Sequence, residues 1–373
     1  MSRHKIALAV QGFQGGGAEL IMITLANEFI EYGFAVDYIV ERDIGPYRDM
    51  LSPKANKIVL LSDESNKYMA LLYAFLRLRR YLKTTDAAVV ITAIRKINAL
   101  CVLAKMLTKT GAKLCVREDD TLNFETRRGR IQEKIIMGIL RFLYPKADCI
   151  ITNSLSVQND ILNLSVKLDK NKVFMIYNPI KIPAFIAPAK RKGIIAAGRL
   201  TYKKNFTDLI AALPLVLERY SDMTLTILGE GEERAALERQ IDELGLRGKV
   251  FLAGFVSDPF SRYAAAEVFV QTSLWEGFGN VLVEAMACGA PPVVYDAKGA
   301  MREILADGKY GILTPVGDRK ALCAAICAQL ENPTPSHLLQ VAVARFEPCA
   351  VAGRYLEALG LSAANGAKGA NSD

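Results

Sequence analysis

A glycine-rich, largely apolar stretch, WEGFGNVLVEAMACG (residues 275–289), carries two glutamates eight positions apart, Glu276 and Glu284. It follows VFVQTS, which is typical of a buried strand, and its glycines precede a helix that we expect from about Asn280 to Gly289. Strand, tight turn and helix in this order predict one unit of a parallel sheet. Because a buried carboxylate without a partner is costly, each glutamate needs a partner or a ligand.

Strand and helix patterns alternate in the same way along the whole chain. We predict strands at KIALAV, AVDYIV, KIVLL, AAVVITA, KLCVRE and DCIITNS, and then at GIIAAGR, LTILGEG, KVFLAGF, VFVQTS, PPVVYD and GILTP. Continuous apolar strands alternating with helices indicate parallel sheets that are covered on both faces. A chain of 373 residues is too long for one core. The prediction is therefore an α/β protein of two doubly wound, Rossmann-like domains, with ligand sites at the carboxyl ends of the strands.

The boundary between the domains falls in a proline-containing linker, NPIKIPAFIAPAKRKG. We expect an N-terminal domain over residues 1–182 and a C-terminal domain over residues 190–346. A last helix, about 347–363, is expected to cross back onto the first domain. The small, polar tail, residues 364–373, is predicted to be disordered.

Composition excludes several classes of protein. Seven scattered cysteines without a C-x-x-C pair indicate reduced thiols in a cytosolic protein, and two histidines make a zinc site or a histidine triad improbable. No apolar run reaches the ~20 residues of a membrane-spanning helix. We interpret the apolar start, MSRHKIALAV, as a first strand and not as a signal peptide.

The positive charge is concentrated in the first half of the chain. Residues 1–186 contain 27 Lys and Arg against 18 Asp and Glu, whereas the remainder contains 20 against 21. This asymmetry predicts an anionic partner for the first half, such as a membrane, a lipid diphosphate or nucleic acid. Nucleic acid is not favoured, because there is no basic strand with interleaved aromatic residues.

Two further turns follow predicted strands and are candidate sites. GFQGGGAEL, residues 12–20, could let a phosphate or a sugar approach its glycines and the next helix, or could be a turn needed only for packing. GRLTYKKNF, residues 198–206, holds Arg199, Lys203 and Lys204, which could bind a diphosphate or form a solvated basic loop. In the opening stretch, Glu284 could accept two neighbouring hydroxyls, and Glu276 could face a second hydroxylated ring.

Taken together, E-x7-E in EGFGNVLVEAMACGAPPVV, GRLTYKKN after a strand, ILGEGEE and the N-terminal GGGAE resemble the family 4 retaining glycosyltransferases of GT-B fold. The pair Arg117-Glu118 is similar to the R-E or E-R found at this place in family members that build bacterial envelope polysaccharides. The resemblance covers essentially the whole chain. It implies two Rossmann-like domains facing across a cleft, with the nucleotide-sugar donor on the second domain and the acceptor on the first.

The resemblance also implies roles for individual residues. Glu284 would bind the donor ribose and Glu276 the donor sugar, while Arg199 and Lys204 would neutralise the leaving diphosphate in place of a metal. Glu276, Arg199 and Lys204 are thus the expected catalytic residues. The donor-binding residues are expected to be Gly16, Gly17, Arg199, Lys204, Glu276, Phe278, Gly279, Asn280, Val281 and Glu284. Neither a metal nor another cofactor is expected.

One segment departs from the family. Many relatives carry a histidine after the fifth strand, where this chain reads VREDDTLNF. The role of that histidine cannot be transferred to the run Arg117-Glu118-Asp119-Asp120. Arg117 and Glu118 could contact the sugar or the acceptor, or could form a local salt bridge.

Two basic amphipathic segments could explain the charge of the first half. Residues 67–83 carry Arg77, Arg79, Arg80 and Lys83 beside an apolar stripe, and residues 127–146 repeat the pattern. Both stripes could pack on the sheet, but with the charge asymmetry they favour peripheral binding to the anionic inner face of the cytoplasmic membrane.

We therefore expect a hexosyl- or N-acetylhexosaminyltransferase that moves a sugar from a UDP-sugar, or secondarily a GDP-sugar, to a lipid-linked saccharide in envelope polysaccharide synthesis. The alternatives are a nucleotide-sugar epimerase of the same fold and a non-catalytic, membrane-associated partner of a glycan-assembly complex. A nicotinamide dehydrogenase is disfavoured, because G-x-G-x-x-G is missing.

Overall fold

The structure, a computed structural model, describes residues 5–61, 69–122, 130–183 and 191–362, with the side chains of residues 130–135 left out. The chain forms two compact units. Unit 1 comprises Met1–Pro179 and Pro348–Asp373, and unit 2 comprises Ile180–Glu347. Each unit has its own sheet and its own apolar core.

Unit 1 is built on a seven-stranded sheet in the order β3-β2-β1-β4-β5-β6-β7. Its strands are β1 (Lys5–Val10), β2 (Ala35–Val40), β3 (Asn56–Val59), β4 (Val89–Ala93), β5 (Lys113–Glu118), β6 (Cys149–Thr152) and β7 (Val173–Met175). Its first five helices are α1 (Gly17–Glu31), α2 (Ala70–Thr84), α3 (Arg95–Met106), α4 (Arg130–Leu143) and α5 (Leu155–Leu162). The paired strands are parallel, and the central ones are buried along almost their whole length, as expected of a sheet covered on both faces.

Unit 2 has a six-stranded parallel sheet in the order β10-β9-β8-β11-β12-β13. Its strands are β8 (Ile194–Ala197), β9 (Leu225–Leu228), β10 (Val250–Gly254), β11 (Val268–Gln271), β12 (Pro292–Tyr295) and β13 (Ile312–Thr314). Its helices are α6 (Phe206–Leu217), α7 (Arg234–Glu243), α8 (Phe260–Ala264), α9 (Asn280–Ala287), α10 (Met301–Leu305), α11 (Arg319–Glu331) and α12 (Ser336–Val343).

The last helix, α13 (Pro348–Leu359), belongs to unit 1. It packs against α1, where the Tyr32 hydroxyl donates to the Cys349 carbonyl at 3.1 Å. At its other end, Lys113 Nζ donates to the Leu359 carbonyl at 3.3 Å. The tail that was predicted to be disordered lies outside the described residues.

Strand order reverses once in each sheet, and this reversal positions the candidate site. In unit 1 it lies between β1 and β4, and in unit 2 between β8 and β11. The loops that leave such neighbouring strands diverge to opposite faces of the sheet and open a crevice at its carboxyl edge.

The predicted fold class, two doubly wound Rossmann-like sheets in an α/β protein, is confirmed. The prediction of six strands in the first half was wrong by one, because it missed β7. That strand has three residues at the sheet edge, and so short a run has no period that distinguishes it from a loop.

Candidate active site

The loops after β8 and β11 bring two of the predicted catalytic residues into contact. Lys204 Nζ donates to Glu276 Oε1 at 2.5 Å, and Lys203 Nζ lies 3.7 Å from Glu276 Oε2. The Ser273 hydroxyl donates to Glu276 Oε1 at 2.7 Å. These groups lie at the strand-order reversal of unit 2.

The ion pair determines the charge of Glu276. Burial alone would raise the pKa of its carboxyl, but the charges of Lys204 and Lys203 and the hydrogen bonds from Lys204 and Ser273 outweigh burial. The resulting pKa lies below its ordinary value, so Glu276 is ionised at neutral pH. The partner that the first glutamate of the motif needed is therefore a lysine 72 residues away in the sequence.

Backbone contacts hold the two loops together. The Leu274 N–H donates to the Lys203 carbonyl at 2.9 Å, and the Thr272 hydroxyl donates to the Asn205 carbonyl at 3.0 Å. Gly198 is required because the stem of Lys204 crosses it: a Cβ there would lie 2.9 Å from Lys204 Cε, and the residue has φ +147°. The sequence did not identify Ser273 or Thr272 as site residues, although both end the predicted strand VFVQTS.

The helix of the opening stretch begins at Asn280, as the sequence predicted. Gly279 precedes it with φ +105°, a conformation that glycine adopts without strain. The first N–H groups of α9, which include those of Asn280 and Val281, have no acceptor within their own helix. The Phe278 ring is buried and packs edge-to-face on Phe346, with ring centroids 5.3 Å apart, so the ring itself is not available to a ligand.

Glu284 lies one turn into α9 and is partly buried. Burial raises its pKa to about 7, and a hydrogen bond with Tyr263 and the charge of Lys204 oppose the shift. The Tyr263 hydroxyl lies 3.5 Å from Glu284 Oε2, and its ring packs edge-to-face on Phe269. Tyr263 is a residue that the sequence reasoning missed, because the contact joins α8 to α9.

The remaining donor-site candidates lie in two places. Arg199 is exposed on the loop after β8 in unit 2. Gly16 is the N-cap of α1 in unit 1, and Gly17 is the first residue of that helix. The preceding turn follows β1, at the strand-order reversal of unit 1, and Gly15 has φ +91°.

Arg117 is fully buried at the end of β5. Its Nε donates to the Tyr355 hydroxyl at 2.8 Å, its Nη2 donates to Asn178 Oδ1 at 2.5 Å, and its Nη1 pairs with Asp119. These contacts correspond to the local salt bridge that the sequence left open as an alternative. They attach α13 and the residue before Pro179 to the sheet of unit 1.

Glu118 belongs to a second internal network. Its Oε1 accepts from Arg95 Nε at 2.9 Å, and its Oε2 accepts from the Tyr144 hydroxyl at 2.7 Å. Burial raises the pKa of Glu118, and the positive charge of Arg95 opposes the shift. Among the described residues, no group of three or more His, Cys, Asp or Glu side chains could hold a metal ion.

The two basic segments of unit 1 pack only in part. Leu78 and Leu82 of α2 are buried, whereas apolar side chains of α2, the end of α3 and α4 are exposed. Helix α2 contacts α3, and α3 contacts α4. We call the exposed set the apolar helix face; it comprises Leu71, Leu72, Leu76, Leu103, Met106, Leu107, Ile136, Ile139 and Phe142. The first part of the 127–146 segment lies outside the described side chains.

The four cations predicted for a membrane contact differ in their surroundings. Arg77 donates to the Leu60 carbonyl at 2.8 Å and Arg79 to the Leu107 carbonyl at 3.3 Å. Arg80 and Lys83 are exposed. No helix in the described part of the chain has the length and apolar character needed to cross a bilayer.

Two Rossmann-like sheets with a charged site at a strand-order reversal define a nucleotide-binding α/β protein. Sequence comparison then identifies the family. Residues 15–182 match the profile "Glycosyltransferase Family 4", and residues 180–342 match "Glycosyl transferases group 1". The chain belongs to family 4 of the glycosyltransferases, and it is a retaining glycosyltransferase that uses a nucleotide sugar.

Curated relatives span most of the chain. An N-acetylgalactosamine-N,N'-diacetylbacillosaminyl-diphospho-undecaprenol 4-alpha-N-acetylgalactosaminyltransferase of Campylobacter jejuni is 27% identical over 88% of this chain and 91% of its own length. The amylovoran biosynthesis glycosyltransferase AmsD of Erwinia amylovora is 24% identical over 82% of this chain and 85% of its own.

Solved structures share the fold. HepE of Anabaena in complex with UDP-glucose superimposes with a TM-score of 0.81 at 23% identity, covering 95% of this chain and 99% of that one. The lipopolysaccharide outer core galactosyltransferase WaaB superimposes with a TM-score of 0.73 at 18% identity, with the same coverage. These matches confirm the GT-B fold.

Proposed function

We propose that this enzyme transfers a hexose or an N-acetylhexosamine from a UDP-sugar to a hydroxyl of a lipid-linked glycan during the synthesis of a bacterial envelope polysaccharide. The observation that carries the proposal is the Lys204–Glu276 ion pair at the strand-order reversal of unit 2. A cation and an ionised carboxylate at this position support a nucleotide-sugar site, because sheets of this kind bind ligands at the strand-order reversal.

The two residues of the pair bind different parts of the donor. Lys204 and the exposed Arg199 neutralise the diphosphate as it leaves, and the N–H groups at the start of α9 add the positive end of a helix. Glu276 accepts hydroxyls of the donor sugar, and Ser273 holds its carboxylate in place. When the donor is absent, Lys204 and Glu276 neutralise each other, so neither charge is buried without a partner.

Transfer then needs little acid–base chemistry from side chains. The incoming hydroxyl attacks the anomeric carbon on the face that the diphosphate leaves, and its proton goes to the departing phosphate oxygen. Glu284 accepts the two ribose hydroxyls and fixes the position of the nucleotide. Gly16 and Gly17, at the start of α1, remain predicted donor contacts.

A UDP-sugar is favoured as donor because HepE, which shares the fold, binds UDP-glucose, and a GDP-sugar is the second choice. A lipid-linked acceptor is supported by the Campylobacter relative, whose name specifies a diphospho-undecaprenol substrate. Neither Arg117 nor Glu118 is favoured for acceptor contact, because both are buried and have partners inside unit 1.

We further propose that unit 1 binds an anionic membrane through the apolar helix face. Its side chains are exposed, and the exposed cations Arg80 and Lys83 lie on α2 beside it. Apolar side chains would enter the boundary between headgroups and acyl chains, while the cations would bind anionic headgroups. This arrangement would bring the enzyme to a lipid-linked acceptor on the cytoplasmic side.

The transferase proposal is tested by nucleotide release. Purified protein is incubated with UDP-, GDP- and ADP-sugars in the presence of bacterial membrane lipids. We expect release of UDP with one sugar. Failure of UDP and GDP to bind at all would refute the donor assignment and favour a non-catalytic partner.

The membrane proposal is tested by flotation with phosphatidylglycerol and phosphatidylcholine vesicles. Leu72→Gln with Arg80→Gln and Lys83→Gln should weaken binding to phosphatidylglycerol vesicles, while nucleotide release stays intact. Lys167→Gln with Lys170→Gln removes exposed positive charge elsewhere on unit 1 and is the matched control. Equal flotation of both variants would exclude the apolar helix face as the contact.

A further inference from the structure

Two aromatic rings stand beside the Lys204–Glu276 pair and take no part in the chemistry described above. Tyr202 lies in the loop after β8, and Trp275 lies in the loop after β11, next to Glu276. Their ring centroids are 6.3 Å apart, with the planes tilted by 55°. Tyr202 is 59% exposed, so its ring is accessible to a ligand.

The rings are held on a rigid base. The Leu274 N–H donates to the Lys203 carbonyl, which ties the residue before Trp275 to the residue after Tyr202. On its other side, Trp275 forms a parallel bridge with Lys298, and the next N–H, that of Glu276, donates to the Lys298 carbonyl at 2.8 Å. Rings that are fixed by backbone contacts lose little freedom when a ligand stacks on them.

Tyr202 also borders a small cavity of about 140 Å³. The cavity is lined by polar side chains from two neighbouring βα turns, together with Phe206 and Leu237. The polar lining residues are Thr201, Asn205, Thr207 and Glu233. A stacking ring beside hydroxyl, amide and carboxylate groups suits a sugar, since one face of a pyranose carries C–H groups and its edge carries hydroxyls.

We propose that Tyr202, Trp275 and the polar cavity form a saccharide-binding subsite that takes a pyranose ring of the acceptor glycan. The proposal rests on the proposed transferase function, because its ligand is the acceptor of that reaction. The ring stacks on Tyr202 and Trp275, and its hydroxyls donate to Glu233 and to the threonine hydroxyls of the cavity. Trp275 directly precedes Glu276 in the chain, so the subsite holds the acceptor on the donor-binding unit.

The test uses the chain's single tryptophan as the probe. Full-length protein is titrated with methyl glycosides of glucose, galactose, N-acetylglucosamine and N-acetylgalactosamine, with glycerol as a control polyol, and tryptophan emission is followed. Each titration is repeated with saturating UDP and with a UDP-sugar. We expect a saturable change in emission with at least one glycoside, retained when the donor site is occupied.

The variants separate stacking from general effects. Tyr202→Ala should weaken glycoside binding by about fivefold to tenfold, whereas Tyr202→Phe keeps the ring and should bind within about twofold of the wild type. Phe251→Ala, which removes another exposed ring of unit 2, is the matched control. UDP binding should be equal in all of these variants, which keeps the result independent of the donor site.

Three outcomes would overturn the proposal. Unchanged emission with every glycoside while UDP binds normally would show that the rings do not bind saccharide, although the donor site is intact. If the glycoside competes with a UDP-sugar but not with UDP, the subsite binds the sugar of the donor and not that of the acceptor. Equal glycoside affinity of Tyr202→Ala and the wild type would show that the saccharide does not stack on the Tyr202 ring. If the wild-type protein does not bind UDP, the result refutes the proposed transferase function and not the saccharide subsite.

Discussion

Unit 1 and unit 2 have the same kind of sheet but place their buried ion pairs differently. In unit 2 the pair formed by Lys204 and Glu276 lies at the strand-order reversal, and the lysine side chain is 16% exposed. In unit 1 the pair formed by Arg117 and Asp119 lies one strand away from the reversal, and the arginine side chain is 0% exposed. The Arg117 side chain is thus fully enclosed, although that of Asp119 is 22% exposed, whereas the Lys204 side chain is partly open and that of Glu276 is 8% exposed.

The difference separates two uses of a buried charge. Arg117 is enclosed by Tyr355 and Asn178, so its hydrogen bonds hold together segments that are distant in the sequence. In the proposed function, Lys204 exchanges Glu276 for a diphosphate, and its side chain is 16% exposed. Topology determines which edge of a sheet can bind a ligand, and the exposure of the side chains determines whether one can enter.

The largest expected effect is on stability and belongs to unit 1. Arg117→Leu leaves Asp119 as a buried carboxylate without its cation, which should cost about 3–5 kcal/mol of unfolding free energy. Chemical denaturation measures the loss. Arg247→Leu, which removes an exposed pair with Asp242, is the control and should destabilise the protein far less, because water screens exposed charges. Equal losses in the two variants would contradict the structural role of Arg117.

The next effect is on catalysis and belongs to unit 2. Lys204→Ala removes a charge that stabilises the leaving diphosphate, and transfer should fall about a hundredfold to a thousandfold. The rate of UDP release measures it. Lys249→Ala, which removes an exposed lysine bound to the Ser221 carbonyl, is the control and should keep the wild-type rate. Normal turnover in purified Lys204→Ala would show that Lys204 does not stabilise the leaving diphosphate.

Donor affinity should depend on pH through Glu284. Its pKa is about 7 because of burial, so the carboxylate that accepts the ribose hydroxyls is lost as the pH falls through 7. We expect UDP affinity to drop about tenfold between pH 8 and pH 6. Glu284→Gln should bind UDP about tenfold more weakly at pH 8, and its UDP affinity should no longer fall tenfold towards pH 6. Any pH dependence that remains in this variant belongs to the titration of UDP itself. An identical pH step in Glu284→Gln would exclude Glu284.

The smallest effect concerns Tyr263. Its hydroxyl favours the ionised form of Glu284, so Tyr263→Phe should raise the pKa of Glu284 and weaken UDP binding about twofold at pH 7. Tyr295→Phe removes another buried hydroxyl, 3.3 Å from Asp208, and is the matched control. A pH profile of Tyr263→Phe that overlays that of Tyr295→Phe would show that Tyr263 does not act through Glu284.

Much of the fold followed from local patterns. The run KIALAV became strand β1 with the predicted bounds, because its residues after Lys5 are continuously apolar and buried. KLCVRE also became a strand with the predicted bounds, although it has charged residues at both ends. The helix of the E-x7-E stretch began at Asn280 because Gly277 and Gly279 mark the turn before it. The short edge strand β7 escaped prediction because it has too few residues to show a period.

The residues of the candidate site were also predicted only in part. The sequence placed Glu276, Glu284 and the basic loop after strands, and the motifs ranked them as donor-site candidates. It could not assign Arg117, because Tyr355 is 238 residues away along the chain. It also predicted an apolar stripe on α2 without separating Leu78, which packs in the core, from Leu72, which is exposed.

Sequence by itself determined the elements, their order and the turns that carry charge, since each of these depends on neighbours a few residues apart. Tertiary structure alone decided which charges meet, which are closed off from solvent, and which rings stand beside them. Ion pairing and burial depend on groups that only the packing of helices on sheets brings together. Lys204 thus contacts Glu276 across two loops, and Tyr202 contacts Trp275 beside them.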